Sequence, residues 1–269
     1  ISPIVSGKDL FLGGPDGVLS SLNALTGEIN WSKDLSITSL GSGTRYKDIL
    51  HVSSWDDNMY QLDPETGDIL ATFDLGYGSR ENALIIEDLA YVPDGDGHLY
   101  ALNTDSGHLA WNLWTDGALQ RAPIAYGGDL YLGSSDGHVY SVEKDSGTLS
   151  WSAEIGDEVN ERLFYSDELL YAVSKNNGKL SSSDYDDIID SSVVALNANT
   201  GDIEWVYESD TQIAVSVVGD ESLLFVGQID GTVQAIIKAS VIGSKEESNG
   251  LEENDPLFTP LSPEEAKSV

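Results

Sequence analysis

Cysteine is absent from this chain of 269 residues. That excludes disulfides, thiolate metal sites and thiol nucleophiles, and says little about compartment. Cationic side chains are scarce: 13 Lys and Arg stand against 46 Asp and Glu, a formal net charge of −33. Duplex nucleic acid and anionic membrane surfaces both need a basic face, so neither is an expected partner. No apolar run reaches the length of a membrane span, so direct insertion is not expected. No signal peptide is visible, and a start at Ile1 without Met reads as a processed or trimmed terminus. Sustained 3.6-residue periodicity is also missing, which argues against helix. No fold requires the acidic excess. Its plain reading is adaptation to high salt, where surface carboxylates keep a protein hydrated and self-repulsion at low salt is the cost. The alternatives are an acidic extracellular protein or one that recruits cations.

What the chain does have is a period. A short phrase recurs at Thr26-Gly27, Thr66-Gly67, Ser106-Gly107, Ser146-Gly147 and Thr200-Gly201, and a tryptophan follows it at Trp31, Trp111, Trp151 and Trp205. The spacing of the glycines is 40 residues until the last interval, which is 54. Upstream of each phrase lies an apolar stretch such as Leu10-Phe11-Leu12 or Leu130-Tyr131-Leu132, then a turn, then an alternating strand. The turn is Asp-Gly at Asp16-Gly17, Asp96-Gly97, Asp136-Gly137 and Asp230-Gly231, and is altered to Asp56-Asp57 and Asp190-Ser191 elsewhere. Asp-Gly between β-rich runs is a strong hairpin signal, because the turn needs positive φ and glycine adopts it freely. Each copy therefore holds about four short strands, and four strands per ~40 residues repeated around an axis make a β-propeller blade.

The predicted fold is all-β, a propeller of six blades over residues 1–240, with seven as the alternative. The tryptophans read as wedges between neighbouring blades. Blade two has Ala71 in that place and Phe73 two residues on, which predicts a looser contact. The sixth copy keeps Asp230-Gly231 and a strand from Thr232 to Ile237 but has neither the Thr-Gly phrase nor the tryptophan. An open edge would be a liability, so the ring is expected to close, either on three strands or with Pro256 to Leu261 as a last strand. Residues 241–269 are polar, acidic and proline-punctuated, and read as a linker or tail.

The run from Leu130 to Trp151 resembles the pyrroloquinoline-quinone (PQQ)-type propeller repeat, and the resemblance extends over residues 1 to about 238. That repeat occurs in quinoprotein dehydrogenases and in the outer-membrane assembly-factor propeller lipoprotein of bacteria. The resemblance implies the fold strongly and the function weakly, since one fold hosts many activities. In the dehydrogenases it implies an axial cofactor with calcium, an aspartate base and often a cysteine pair on a larger ring. Here there are six copies and no cysteine, so no cofactor is expected, and hydrolase or lyase chemistry lacks a visible acid–base set. The assembly-factor resemblance implies a non-catalytic binding or scaffold module. Its partner would be a protein or extended peptide, an acidic one included, in an extracellular, cell-surface or periplasm-like compartment. A PQQ-dependent or other propeller enzyme is the alternative.

Three groups of residues are candidate sites. The chain has four arginines, Arg45, Arg80, Arg121 and Arg162, and the last three fall within two residues of one 40-residue register at the head of the innermost strand. They are expected to ring one mouth of the channel and to bind an anion such as a carboxylate, unless each pairs with an acid such as Glu81 or Glu161. The second group is acidic: Asp94 and Asp96, and Asp184, Asp186, Asp187 and Asp190 near the blade-five insertion, offer hard oxygen ligands for Ca²⁺. The recurring turn aspartates otherwise read as caps. The third is the insertion itself, Lys175 to Ile188, which breaks an even period as binding loops do. The histidines at 51, 98, 108 and 138 read as surface or strand positions.

Overall fold

A computed structural model of the protein describes residues 3–37, 40–76, 78–79, 81–176, 190–209, 211–220 and 222–238, with the backbone alone for Asn176 and Asp190. The period emerges as six antiparallel sheets, each a meander whose strands pair in sequence order. Blade one is β1 (Ile4–Ser6), β2 (Asp9–Gly13), β3 (Val18–Asn23) and β4 (Ile29–Asp34). Blade two is β5 (Leu40–Tyr46), β6 (Ile49–Ser54), β7 (Asn58–Leu62) and β8 (Ile69–Asp74). Blade three is β9 (Leu84–Ile86), β10 (Leu89–Pro93), β11 (His98–Asn103) and β12 (Leu109–Trp114). Blade four is β13 (Ile124–Tyr126), β14 (Asp129–Gly133), β15 (His138–Glu143) and β16 (Leu149–Glu154). Blade five is β17 (Phe164–Ser166), β18 (Leu169–Asn176), β19 (Asp190–Asn197) and β20 (Ile203–Ser209). Blade six has three: β21 (Val218–Gly219), β22 (Leu223–Gly227) and β23 (Val233–Ile237).

The local chemistry of the repeated phrase explains the outer turn. Asn23 Oδ1 accepts hydrogen bonds from the amides of Leu25 and Thr26, and the Gly27 amide donates to the Asn23 carbonyl. Gly27 adopts φ +74°, a conformation that costs glycine little. Asp63, Asn103 and Asn197 build the same turn. A one-residue register shift then follows the residue opposite the tryptophan position, as at Ser21/Leu22 and Ser141/Val142.

Packing between blades follows from strand alternation. One face of each blade, here called trailing, carries residues such as Tyr131, Val139 and Trp151, and meets the leading face of the next blade, with Leu170, Ala172 and Leu196. The indole of Trp31 lies on Gly67, that of Trp111 on Gly147 and that of Trp151 on Gly201, leaving no room for a Cβ. Each indole Nε1–H also donates across the interface, to the carbonyls of Pro64, Lys144 and Ala198 at 3.0–3.1 Å. Blade two achieves the same contact with different residues. Phe73 is buried and its ring lies on Gly107, while Gln61 Nε2 donates to the Thr104 carbonyl, the counterpart of Lys144. The contact is therefore not looser.

The expected ring closure requires a correction. Five apolar clusters join blades one–two, two–three, three–four, four–five and five–six. Among the described residues no core cluster joins blade six to blade one. Leu12 shows why: it is 37 % exposed, whereas Val52, Val92, Leu132, Ala172 and Val226 in its register are all at 0–2 %. At the other end, Val233 on the trailing face of blade six is 61 % exposed, against 0–2 % for Leu19, Met59, Leu99, Val139 and Val193. The described residues thus form an arc of six blades. Closure depends on the angle between successive blades, which the spacing of a repeat does not encode.

Candidate functional site

The two faces of the arc differ. One carries the tips of the hairpins between the second and third strand of each blade, and the other carries the turns between the first and second. On the tip face, at blades two to four, lies a cavity of about 590 Å³ lined by Trp55, Asp57, Gly78, Glu81, Gly95 and the run Ala118 to Arg121. Blade two departs from the repeat there. Trp55 stands where blades one, three, four and six have Pro15, Gly95, Ser135 and Ile229. Asp57 stands where the hairpins of blades one, three, four and six have glycine at φ +78° to +93°, and it keeps the left-handed backbone at φ +68°. A non-glycine residue in that region costs about 1 kcal/mol, and such positions cluster at functional sites.

The chain at the inner rim is held by charge. Glu81, Arg121 and Glu161 share one register on three successive blades. Arg121 reaches Glu81 at 3.1 Å on one side and Glu161 at 3.3 Å on the other. Glu161 is buried and also faces Lys175 Nζ at 3.6 Å, and it accepts a hydrogen bond from Ser216 Oγ at 3.4 Å. One carboxylate therefore ties blades four, five and six, and fixes the cavity wall.

The other predicted site residues are dispersed. Arg162 is exposed near Glu161, and its backbone amide donates to Ser216 Oγ. Arg45, at the far end of β5, lies on the opposite face beside Asp9 and Asp48. Arg80 lies outside the described residues. The structure thus does not bring Arg45 to Arg121, and Arg121 meets carboxylates on both sides. Asp94 is buried and turned inward on its own hairpin, where Oδ1 accepts from the amides of Asp96 and His98. Asp96 is exposed. Asp184, Asp186 and Asp187 lie outside the described residues, as do most of the insertion and residues 241–269, and Asp190 is described as backbone only, at the start of β19. Among the described residues no group of three acidic or histidine side chains could share a metal ion. The insertion begins from a lengthened β18–β19 hairpin on the tip face, paired out to Asn176 and Asp190.

Two features escaped sequence reasoning. Trp114 is 73 % exposed at the end of β12, in the register of Asp34, Asp74, Glu154 and Glu208, and stacks on His98, which stacks in turn on Tyr100. Its signal was an aromatic residue in a register of acids. His51 is buried in the register of Phe11, Tyr91 and Tyr131, with neither ring nitrogen hydrogen-bonded. Burial disfavours its charged form and lowers its pKa to about 4.

A sequence model of the family described as outer membrane protein assembly factor BamB matches residues 15–240. No curated protein matches the sequence. BamB from Moraxella catarrhalis superposes with a TM-score of 0.71 at 20 % identity, over 86 % of this chain and 71 % of its own. The computationally designed Ika8 protein gives 0.71 at 15 % identity, over 91 % of this chain and 71 % of its own. A europium-containing methanol dehydrogenase gives 0.70 at 13 % identity, over 89 % and 67 %. At these identities the structural likeness speaks to fold alone.

Proposed function

The chain belongs to the outer membrane protein assembly factor BamB family, and on that premise we propose that it is a non-catalytic binding propeller whose tip face holds a protein partner. The compartment that suits this role is a periplasm-like or surface space beside an outer membrane. The observation that carries the reading is the cavity at blades two to four, where Trp55 and Asp57 replace smaller residues of the repeat. Concave, partly apolar sites with a few convergent polar groups are the usual binding sites of a rigid scaffold. An aromatic side chain beside carboxylates suits an extended segment that buries one apolar side chain and offers amide or basic groups to Asp57 and Glu81. Capture of a free anion by Arg121 would have to displace Glu81 or Glu161, so a protein segment is the better occupant.

A photo-crosslinking side chain placed at Gln120 in the cavity wall, and separately at Tyr126 on the opposite face, tests the reading in native cell envelopes. A discrete protein adduct from position 120, absent from position 126 and lost with Trp55→Ala, is the expected result. Equal adducts from both faces would overturn it. No dye-linked alcohol oxidation is expected after loading with PQQ and Ca²⁺, and stoichiometric uptake with turnover would favour the enzyme reading.

A further inference from the structure

Three departures from the repeat meet at the outer tip corner of blade three. Trp114, 73 % exposed, stands where blades one, two, four and five have Asp34, Asp74, Glu154 and Glu208. An indole so exposed buries little, so packing between blades does not account for it. Asp94 is buried in a register of Gly14, Ser54, Ser134, Ser174 and Gln228, and its Oδ2 lies 3.4 Å from His98 Nδ1. Asp96 is released from its usual contact. In blades two and four the residues of its register, Asp56 and Asp136, accept from the Tyr60 and Tyr140 hydroxyls at 2.7 Å. Asp96 is exposed, and no such bond joins it to Tyr100 among the described residues. The rings themselves form a row. His98 lies 5.5 Å, centroid to centroid, from Tyr100 and from Trp114, at interplanar angles of 25° and 22°. Trp114 is the outer end of that row. The charges beside the row are of one sign: burial, and then the carboxylates of Asp94, Asp96 and Asp74, push the Tyr100 hydroxyl up to about 12.

We propose that this row is a binding site for an arginine side chain of an extended protein segment, which lays its guanidinium on the Trp114 ring and donates to the Asp96 carboxylate. Charge complementarity selects the occupant. A planar guanidinium stacks on an indole and also offers a carboxylate two parallel N–H donors. An ammonium supplies the charge without the stacking, and a sugar ring supplies the stacking without the charge. A net charge of −33 draws cationic segments toward the whole surface, and the exposed indole marks where one is held. The hairpin that carries Gly95 into the cavity wall also carries Asp96 and His98. The site therefore adds a second contact on the tip face, and it rests on the reading above only in taking the partner to be a protein.

The probe is Nα-acetylarginine amide, titrated into the isotope-labelled protein and followed through its indole N–H resonances. The resonance lost in Trp114→Leu is that of Trp114, and the other indole resonances report that this variant is folded. In the parent the Trp114 resonance is expected to move along a saturable curve. Nα-acetylcitrulline amide, the uncharged isostere, and Nα-acetyllysine amide should each need at least about threefold more ligand for half of the shift. Asp96→Asn should weaken the arginine curve about threefold. Trp55→Ala should leave that curve unchanged, so the result is independent of whether the cavity holds a partner. A Trp114 resonance that does not move, equal curves for the three amides, an arginine curve indifferent to Asp96→Asn, or its loss in Trp55→Ala would overturn the proposal. So would a neutral methyl glycoside that saturates the shift at lower concentration than the arginine probe, which would assign the ring face to a sugar.

Discussion

The interface between blades three and four and the interface between blades two and three solve one problem with different parts. In the first, the Trp111 indole fills the groove over Gly147 and its N–H reaches the Lys144 carbonyl, where the Tyr91 hydroxyl donates as well. In the second, the volume comes from Phe73, two residues further along the outer strand, and the N–H comes from Gln61 on the neighbouring strand. His51 replaces the tyrosine. The difference shows that ring and donor are separable requirements of the joint, and that tryptophan meets both at once. It also shows what the substitution leaves behind: a buried imidazole with no hydrogen-bond partner on either nitrogen.

If the two joints are equivalent, removing either ring should cost the same. Trp111→Ala and Phe73→Ala are each expected to lower the unfolding free energy by about 4 kcal/mol, the range for deleting a packed aromatic. Urea denaturation reads this directly, and a loss below about 1 kcal/mol for Phe73→Ala would mean that blade two is not sealed by its phenyl ring.

The joints should separate under acid. His51 has a folded pKa depressed to about 4 against an ordinary 6.5, so the unfolded chain binds the proton first. Its contribution is complete above pH 6.5 and is lost as the pH falls from 6.5 toward 4, about 3 kcal/mol in all at 1.36 kcal/mol per unit. The many carboxylates add a pH dependence of their own, so the informative quantity is the difference from His51→Phe, which copies Phe11 in the same register. That variant should lose less stability between pH 7 and pH 4 than the parent, and identical profiles would place the imidazole in contact with water.

A smaller effect isolates the donor. Gln61→Leu keeps the volume but leaves the carbonyl of buried Thr104 without its side-chain N–H, a cost of about 1–2 kcal/mol. No change would mean that the Phe73 ring alone makes the joint.

Much of this fold was legible in the sequence. The 40-residue spacing of Thr-Gly and tryptophan places the blades, and the Asp-Gly turns place the hairpin tips, because both depend on local backbone conformation. The compensation in blade two was missed, and a looser contact expected in its place, although Gln61 is the one long polar residue in a register of Ser21, Ala101, Ser141 and Ala195. The site was harder to see. The spacing drew attention to arginines within two residues of one register as an anion site, and for Arg121 it is the alternative of pairing with Glu81 and Glu161, each one full period away, that the structure shows. Ring closure was not legible at all: it is a sum of small rotations between packed faces, and it shows only in the exposure of residues such as Leu12 and Val233.

The direct test of separable ring and donor is to rebuild one joint in the image of the other. Tyr91→His, Ala101→Gln, Trp111→Ala and Leu113→Phe together write the blade-two solution into blade three. This fourfold variant should recover at least half of the roughly 4 kcal/mol lost by Trp111→Ala alone. A fourfold variant no more stable than the single one would contradict it.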